Sequence, residues 1–211
     1  MDLTPELLIH AYSLGVFPMA ESRDSEDILW MDPKARGIMP LDGFHISKSL
    51  AKAIARMDYE ITLDVAFEDV VDACADREET WISRKIRAAY IELFHRDHAH
   101  SLEVWRDGDL MGGVYGVSLG SAFFGESMFS RQTNGSKIAL AYLTKHLKSC
   151  GYALFDTQYL TEHLASLGGI EISRTAYREL LHKTVTKPEK FYKRAYPPSV
   201  SEVLQRRTQT S

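Results

Sequence analysis

Three strand-like runs in the middle of a chain whose flanks read as helical place the tightest limit on its fold. Residues 102–105, 110–118 and 122–129 are rich in β-branched and aromatic side chains. Asp107-Gly108 and Gly120-Ser121 fall between them, dipeptides suited to tight hairpin turns. Connections that short join antiparallel neighbours. Downstream, residues 136–148 have helical periodicity, 152–158 read as a strand, and 161–167 and 175–182 as short helices. Upstream, Thr4 is an N-cap with Pro5 at the first helical position and Gly15 as the stop. Helices over 45–57, 65–74 and 81–94 follow, with a short strand over 59–64. Antiparallel strands followed by helix, strand and helix predict an α/β (α+β) domain. Residues 17–40 hold Pro18, Pro33 and Pro40 with Asp32 and Gly37 and read as irregular. A boundary near Lys34 divides a small N-terminal domain, 1–34, from a main domain, 35–211.

The composition excludes several classes. With 211 residues, 45% hydrophobic and 26% charged, the chain can bury a core without staples and is not predominantly disordered. Cys74 and Cys150 are too few for a disulfide scaffold and cannot make a metal site by themselves. Asp2 and Glu6 stand where a secretory signal would be basic, and no apolar run approaches the roughly 20 residues needed to span a bilayer. The expectation is a cytoplasmic, soluble, monomeric protein without a membrane partner. The net charge of -4 hides an asymmetry, because residues 183–207 carry seven basic side chains against Glu189 and Glu202. A basic tail is ordinarily just solvated. Lys48, Lys52 and Arg56 recur every four residues opposite Ile46, Leu50, Ile54 and Met57, the pattern of a surface helix and also of one that tracks phosphates.

Strand period two directs attention to a few polar residues. Asp156 and Gln158 share one face of their strand, as do Phe124, Glu126 and Met128 of theirs if that strand is regular. Carboxylates on apolar strands are costly to bury unpaired, so Asp156 and Glu126 are either functional or placed at capped, solvated ends. Gly112, Gly113, Gly116 and Gly120 have the wrong spacing for a phosphate loop and fit bulges or close backbone packing. The stretch 131–137, RQTNGSK, lies between a strand and a helix, where backbone amides can hold a phosphate or be capped by Asn134 or Ser136. His95, His98 and His100 lack a matching set of ligands, so no metal is expected. No G-x-S-x-G occurs.

Taken in order, the motifs are specific. YSLGVFPM (12–19), LWMDPKAR (29–36), HISKS (45–49), Trp81-Ile82, HSLEVW (100–105), GGVYG (112–116), FGESMFS (124–130), Ser136-Lys137, D-T-Q (156–158) and HLASLG (163–168) succeed one another. From about Asp2 to about Leu181 the chain resembles the leucyl/phenylalanyl-tRNA–protein transferases. The resemblance implies an acetyltransferase-like (GNAT-like) main domain behind a small N-terminal one. It implies transfer of Leu or Phe, with Met a further possibility, from aminoacyl-tRNA to proteins that begin with Arg or Lys, which creates a degradation signal. It assigns Asp156 and Gln158 to the reaction centre with Glu126 beside them. Trp81 and Tyr90 would line the approach of the aminoacyl end, and Lys48 and Lys52 would hold the acceptor stem. Phe124 and Met128 are candidates for the aminoacyl pocket. No cofactor is expected, since an aminoacyl ester is already activated and needs positioning and charge stabilisation.

The chain departs from the family pattern in three respects. It opens at the first helix, without the longer glycine-containing leader of many relatives. Met19 and Met31 stand where some relatives carry Trp, and Val114 where one may have Met. These positions touch the N-terminal domain and a pocket wall, which would set the choice among Leu, Phe and Met. Two competing readings are a small-molecule acetyltransferase with RQTNGSK as its pyrophosphate loop, and a non-catalytic RNA-binding protein. Coenzyme binding would favour the first; the second leaves Asp156, Gln158 and Glu126 without a role.

Overall fold

The computed structural model describes residues 3–188, 190–193 and 196–205. Arg194, Arg206 and Arg207 of the basic tail lie outside the described residues, as do Asp2 and Glu189. Helix α1 (Pro5–Ser13) starts as expected, with the Thr4 hydroxyl accepting from the Leu7 N–H. The stretch read as irregular holds three short strands instead, β1 (Phe17–Met19), β2 (Leu29–Met31) and β3 (Ala35–Ile38). Pro18 lies within β1, in a two-stranded ribbon with no further neighbour, while Pro33 and Pro40 fall between and after the strands, so propensity alone conceals them. The chain continues through α2 (Lys48–Ala55), β4 (Glu60–Leu63), α3 (Phe67–Ala75) and α4 (Arg84–His95). The hairpin run is β5 (Ala99–Arg106), β6 (Asp109–Leu119) and β7 (Ala122–Ser130). Then come α5 (Gly135–Cys150), β8 (Leu154–Gln158), α6 (Glu162–Ser166), β9 (Ile170–Ser173), α7 (Arg174–Val185), a 3-10 turn (Phe191–Lys193) and α8 (Val200–Leu204).

Strands β1 and β2 pair on their own, and the other seven form one sheet in the order β4-β5-β6-β7-β8-β3-β9. Its two faces carry separate cores. On one, Tyr12, Phe67, Tyr90, Tyr115, Phe124 and Tyr177 pack beneath α1, α3, α4 and α7. On the other, Leu50, Ile54, Val114, Phe123, Leu143, Phe155 and Phe191 pack beneath α2, α5 and α8. Alternation along β7 and β8 sends Phe123 and Phe155 to the second face, and Phe124 and Leu154 to the first. Helix α1 therefore belongs to the same core as α4 and α7.

Two irregularities in the sheet set the surroundings of Glu126 and Asp156. Between β6 and β7 the register slips, so that Tyr115 faces Ser127 while Gly116 faces Gly125, and Glu126 is the extra residue of a bulge. A Cβ at Gly116 would lie 2.2 Å from the Phe124 carbonyl oxygen, so the bulge requires glycine opposite it. The expected sharing of a face by Phe124, Glu126 and Met128 fails here, because the bulge reverses alternation beyond it. Met128 packs against the second core, across from Val114. The other irregularity is where β7 and β8 separate. Their parallel pairing covers Ala122–Leu154, Phe123–Phe155 and Phe124–Asp156 and goes no further, although both strands continue.

Candidate active site

Asp156 ends the stretch of β8 that pairs with β7 and is fully buried. A buried carboxylate needs partners, and Arg36 from β3 supplies a two-pronged one: Nε donates to Oδ1 at 2.9 Å and Nη2 to Oδ2 at 2.7 Å. The Tyr177 hydroxyl donates to Oδ2 at 2.6 Å and the Gln158 backbone N–H to Oδ1 at 2.8 Å. The guanidinium is 1% exposed, lies 4.5 Å from the ring centroids of both Phe17 and Tyr177, and donates to the Gly15 carbonyl at 3.0 Å. All the strong acceptor sites of Asp156 are thus engaged by protein donors. Toward Gln158 its contact is with the backbone and not with the side-chain amide. Its bond goes to the backbone N–H of Gln158, a residue held at φ 63°, a conformation that non-glycine residues adopt at a cost. Gln158 is 7% exposed, and its buried Nε2 makes no full hydrogen bond among the described residues, although the amide is near enough to Glu126 to lower that carboxyl's pKa.

Glu126 faces the same side from the bulge. Tyr12 of α1 donates to its Oε1 at 2.7 Å and Tyr90 of α4 to its Oε2 at 2.6 Å, while the two hydroxyls lie 2.8 Å apart. These are three close oxygen–oxygen contacts. The two phenols supply only two protons, so the ring of contacts closes only when the carboxyl carries the third. Burial drives the pKa in the same direction, up to about 7, against the lowering effect of Tyr90, Tyr12 and the Gln158 amide. Nearby, the Tyr115 hydroxyl is buried and has no partner among the described residues. Glu126 and Gln158 face one another where β7 and β8 have parted.

Of the residues singled out from sequence, Glu126, Tyr90, Asp156 and Gln158 come together. Phe124 lies fully buried under them, its ring 4.9 Å from that of Tyr12. Trp81 is half-buried on the same layer, where its carbonyl accepts from Ala20 and Ser83 and ties β1 to the start of α4. Met128 faces the other core. Lys48 and Lys52 are exposed on α2, which covers the opposite face of the sheet. Sequence reasoning overlooked Arg36, Tyr12 and Tyr177. The usable signal was Arg36 ahead of the apolar run Gly37-Ile38-Met39, a cation entering a strand that a buried Asp156 would need. The three histidines do not converge: His95 is exposed, and the Nδ1 of buried His100 lies 2.8 Å from Asp64.

Comparison with known proteins identifies the family. Residues 38–182 match the family model described as leucyl/phenylalanyl-tRNA protein transferase, and residues 1–34 match that of its N-terminal domain. A leucyl/phenylalanyl-tRNA–protein transferase of Ruegeria sp. is 61% identical over 211 residues, covering 100% of both chains. The Ruegeria pomeroyi protein of the same name is 56% identical over 211 residues, again 100% of both. Among solved structures, a GCN5-related N-acetyltransferase-like protein from Streptococcus suis aligns with 66% of this chain and 60% of its own, at 16% identity and a TM-score of 0.36. With relatives this similar along its whole length, the chain belongs to the leucyl/phenylalanyl-tRNA–protein transferase family.

Proposed function

We propose that this protein moves leucine or phenylalanine from aminoacyl-tRNA onto the α-amine of an acceptor protein, at the gap between β7 and β8. Family membership supports the reaction. The observation that carries the site is the buried pair Glu126 and Gln158, one titrating near neutrality and the other with its amide acting on that carboxyl, facing a gap in the sheet. In the step itself, the neutral amine attacks the ester carbonyl carbon. A C–N bond forms, the bond from that carbon to the ribose 3′-oxygen breaks, and the proton leaving the amine reaches that oxygen. An α-amine has a pKa near 8, so a carboxylate titrating near 7 is a suitable counter-ion and proton partner for the arriving ammonium. Binding of that ammonium would draw Glu126 into its ionised form, with the tyrosines donating to it. Gln158 would orient the amine through its amide oxygen. Asp156 and Arg36 act at one remove, as positioning residues that hold the Gln158 backbone.

The separation of β7 from β8 supports an acetyltransferase-like reading of the main domain, with 1–34 as the small N-terminal one. Met128 and Val114, paired across β6 and β7, are the candidate wall of the aminoacyl pocket, with Phe124 supporting Glu126 from beneath. Acceptors beginning with Arg or Lys, and a degradation signal as product, follow from the resemblance. The test is transfer of labelled leucine and phenylalanine from charged tRNA to a protein beginning with Arg, with a Glu-starting version as control. Label on the Arg acceptor alone is expected; equal labelling of both would remove the acceptor rule, and labelling of neither would remove the reaction.

A further inference from the structure

Past the bulge, β7 ends beside a hollow of about 450 Å³ whose wall includes Arg77, Met128, Arg131, Ser136 and His163. It borders Met128, two residues from Glu126, on the side where β7 has left β8. Asp76 is the one carboxylate on that wall among the described residues, set against two guanidiniums. Arg77 donates to the Met128 carbonyl with one nitrogen. Arg131 is exposed and has no carboxylate partner among the described residues; its guanidinium lies over the Phe129 ring at 5.5 Å. The Nε2 of His163 is shielded from water and has no hydrogen-bond partner among them either. Burial, with Lys137 nearby, keeps that ring below its usual pKa and so mostly neutral at pH 7. The hollow also borders the first turn of α5, where the Gly135 N–H donates to the Gln132 carbonyl and the Ser136 N–H to the Ser130 hydroxyl.

Guanidiniums without a carboxylate partner on the wall call for an anion, and the location narrows which anion. If the aminoacyl ester sits on a ribose 3′-oxygen at the β7–β8 gap, the phosphate on the 5′ side of that nucleotide lies one ribose away. We propose that the hollow holds this phosphodiester of the tRNA 3′ end, with Arg131 as the principal contact and Arg77 beside it. The inference rests on the site proposed above and gives the 131–137 segment a role in it.

The experiment compares two leucyl donors with wild-type protein, Arg131→Gln and Arg131→Lys. One donor is leucyl-tRNA; the other is 3′-leucyl-adenosine, which has the ester but no phosphate. Arg131→Gln should lower kcat/KM for leucyl-tRNA by roughly tenfold to a hundredfold, the scale of a lost charged hydrogen bond. Leucyl-adenosine should be used as well by the variant as by wild type. The salt dependence of tRNA binding should become shallower by about 0.7 in log–log slope, one phosphate's worth for a single strand. Arg131→Lys should restore part of the loss. Equal losses with both donors would assign Arg131 to the fold or the chemistry, and no loss with either would put the phosphate elsewhere; each overturns the proposal. A wild-type protein that uses neither donor would instead defeat the reading of the site itself.

Discussion

Glu126 shows what the burial of one carboxyl costs the fold. In an unfolded chain its pKa is that of an ordinary carboxyl, and in the folded protein it rises to about 7. Between those values the folded state binds more protons than the unfolded one, so this group's contribution to stability falls as pH rises through the window. The loss amounts to about 3 kcal/mol once pH exceeds the folded pKa. Gln at this position imitates the protonated acid and does not titrate. Urea denaturation of wild type and Glu126→Gln at about pH 5 and pH 8 should show near-equal stability at the lower pH and the variant gaining at the higher. A constant difference at both would mean that the carboxyl is ionised throughout. Transfer by Glu126→Gln should fall sharply at every pH. Asp156 poses a different problem, because Asp156→Ala strands the buried Arg36 guanidinium and should cost about 3–5 kcal/mol in the same assay. Asp156→Asn keeps an acceptor for the Gln158 N–H. It should lower kcat for transfer with little change in KM for tRNA, as expected of a residue that positions another.

At the level of elements, the departure of β7 from β8 and the bulge in β7 bring Glu126 and Gln158 to the proposed site. Both were hidden from pattern reading. Alternation in 122–129 is clear enough to predict a strand, but a bulge depends on what the partner strand offers, here Gly116. Parallel pairing that ends at Phe124 and Asp156 likewise depends on β3 arriving on the other side of β8. The helix α2 was legible as amphipathic, and it does bury Leu50 and Ile54 while leaving Lys48, Lys52 and Arg56 exposed. Its position over the opposite face was not. If α2 grips the tRNA acceptor stem, the RNA must reach from that face to the gap. Lys48→Ala with Lys52→Ala should then reduce the salt dependence of tRNA binding by close to two phosphates' worth, about 1.8 in log–log slope for a duplex stem, and leave transfer from leucyl-adenosine unchanged. An unaltered slope would remove α2 from the interface.

Across the whole molecule, the C-terminal segment is a strap and not the simple solvated tail that its charge suggests. Phe191 is 2% exposed, and its ring stacks on His100 at 4.1 Å and 2°. Its carbonyl accepts from His146 at 2.8 Å and from the Cys150 thiol at 3.2 Å. Beyond it, Ser199 and Glu202 form a capping box for α8, which buries Val203. The segment closes the core beneath α5, and Phe191→Ala should cost about 3–5 kcal/mol in a denaturant titration. A loss well under 1 kcal/mol would show that the strap is dispensable for stability.

Local chemistry is what a sequence states directly. Period and turn residues were enough for β5, β6 and β7, the helices on either side and the start of α1 at Thr4, because hydrogen bonds between near neighbours and the sidedness of apolar residues decide those elements. The ordered motifs were enough for the family and therefore for the reaction. Only the tertiary structure decided which groups touch. Arg36 and Asp156 are 120 residues apart and Tyr12 and Glu126 are 114 apart, and no periodicity carries information over such distances. Their meeting follows from β3 entering the sheet beside β8 and α1 packing on α4, choices made by the global burial of apolar surface. The partners of Asp156 and Glu126, and with them the ionisation of Glu126, belong to that level.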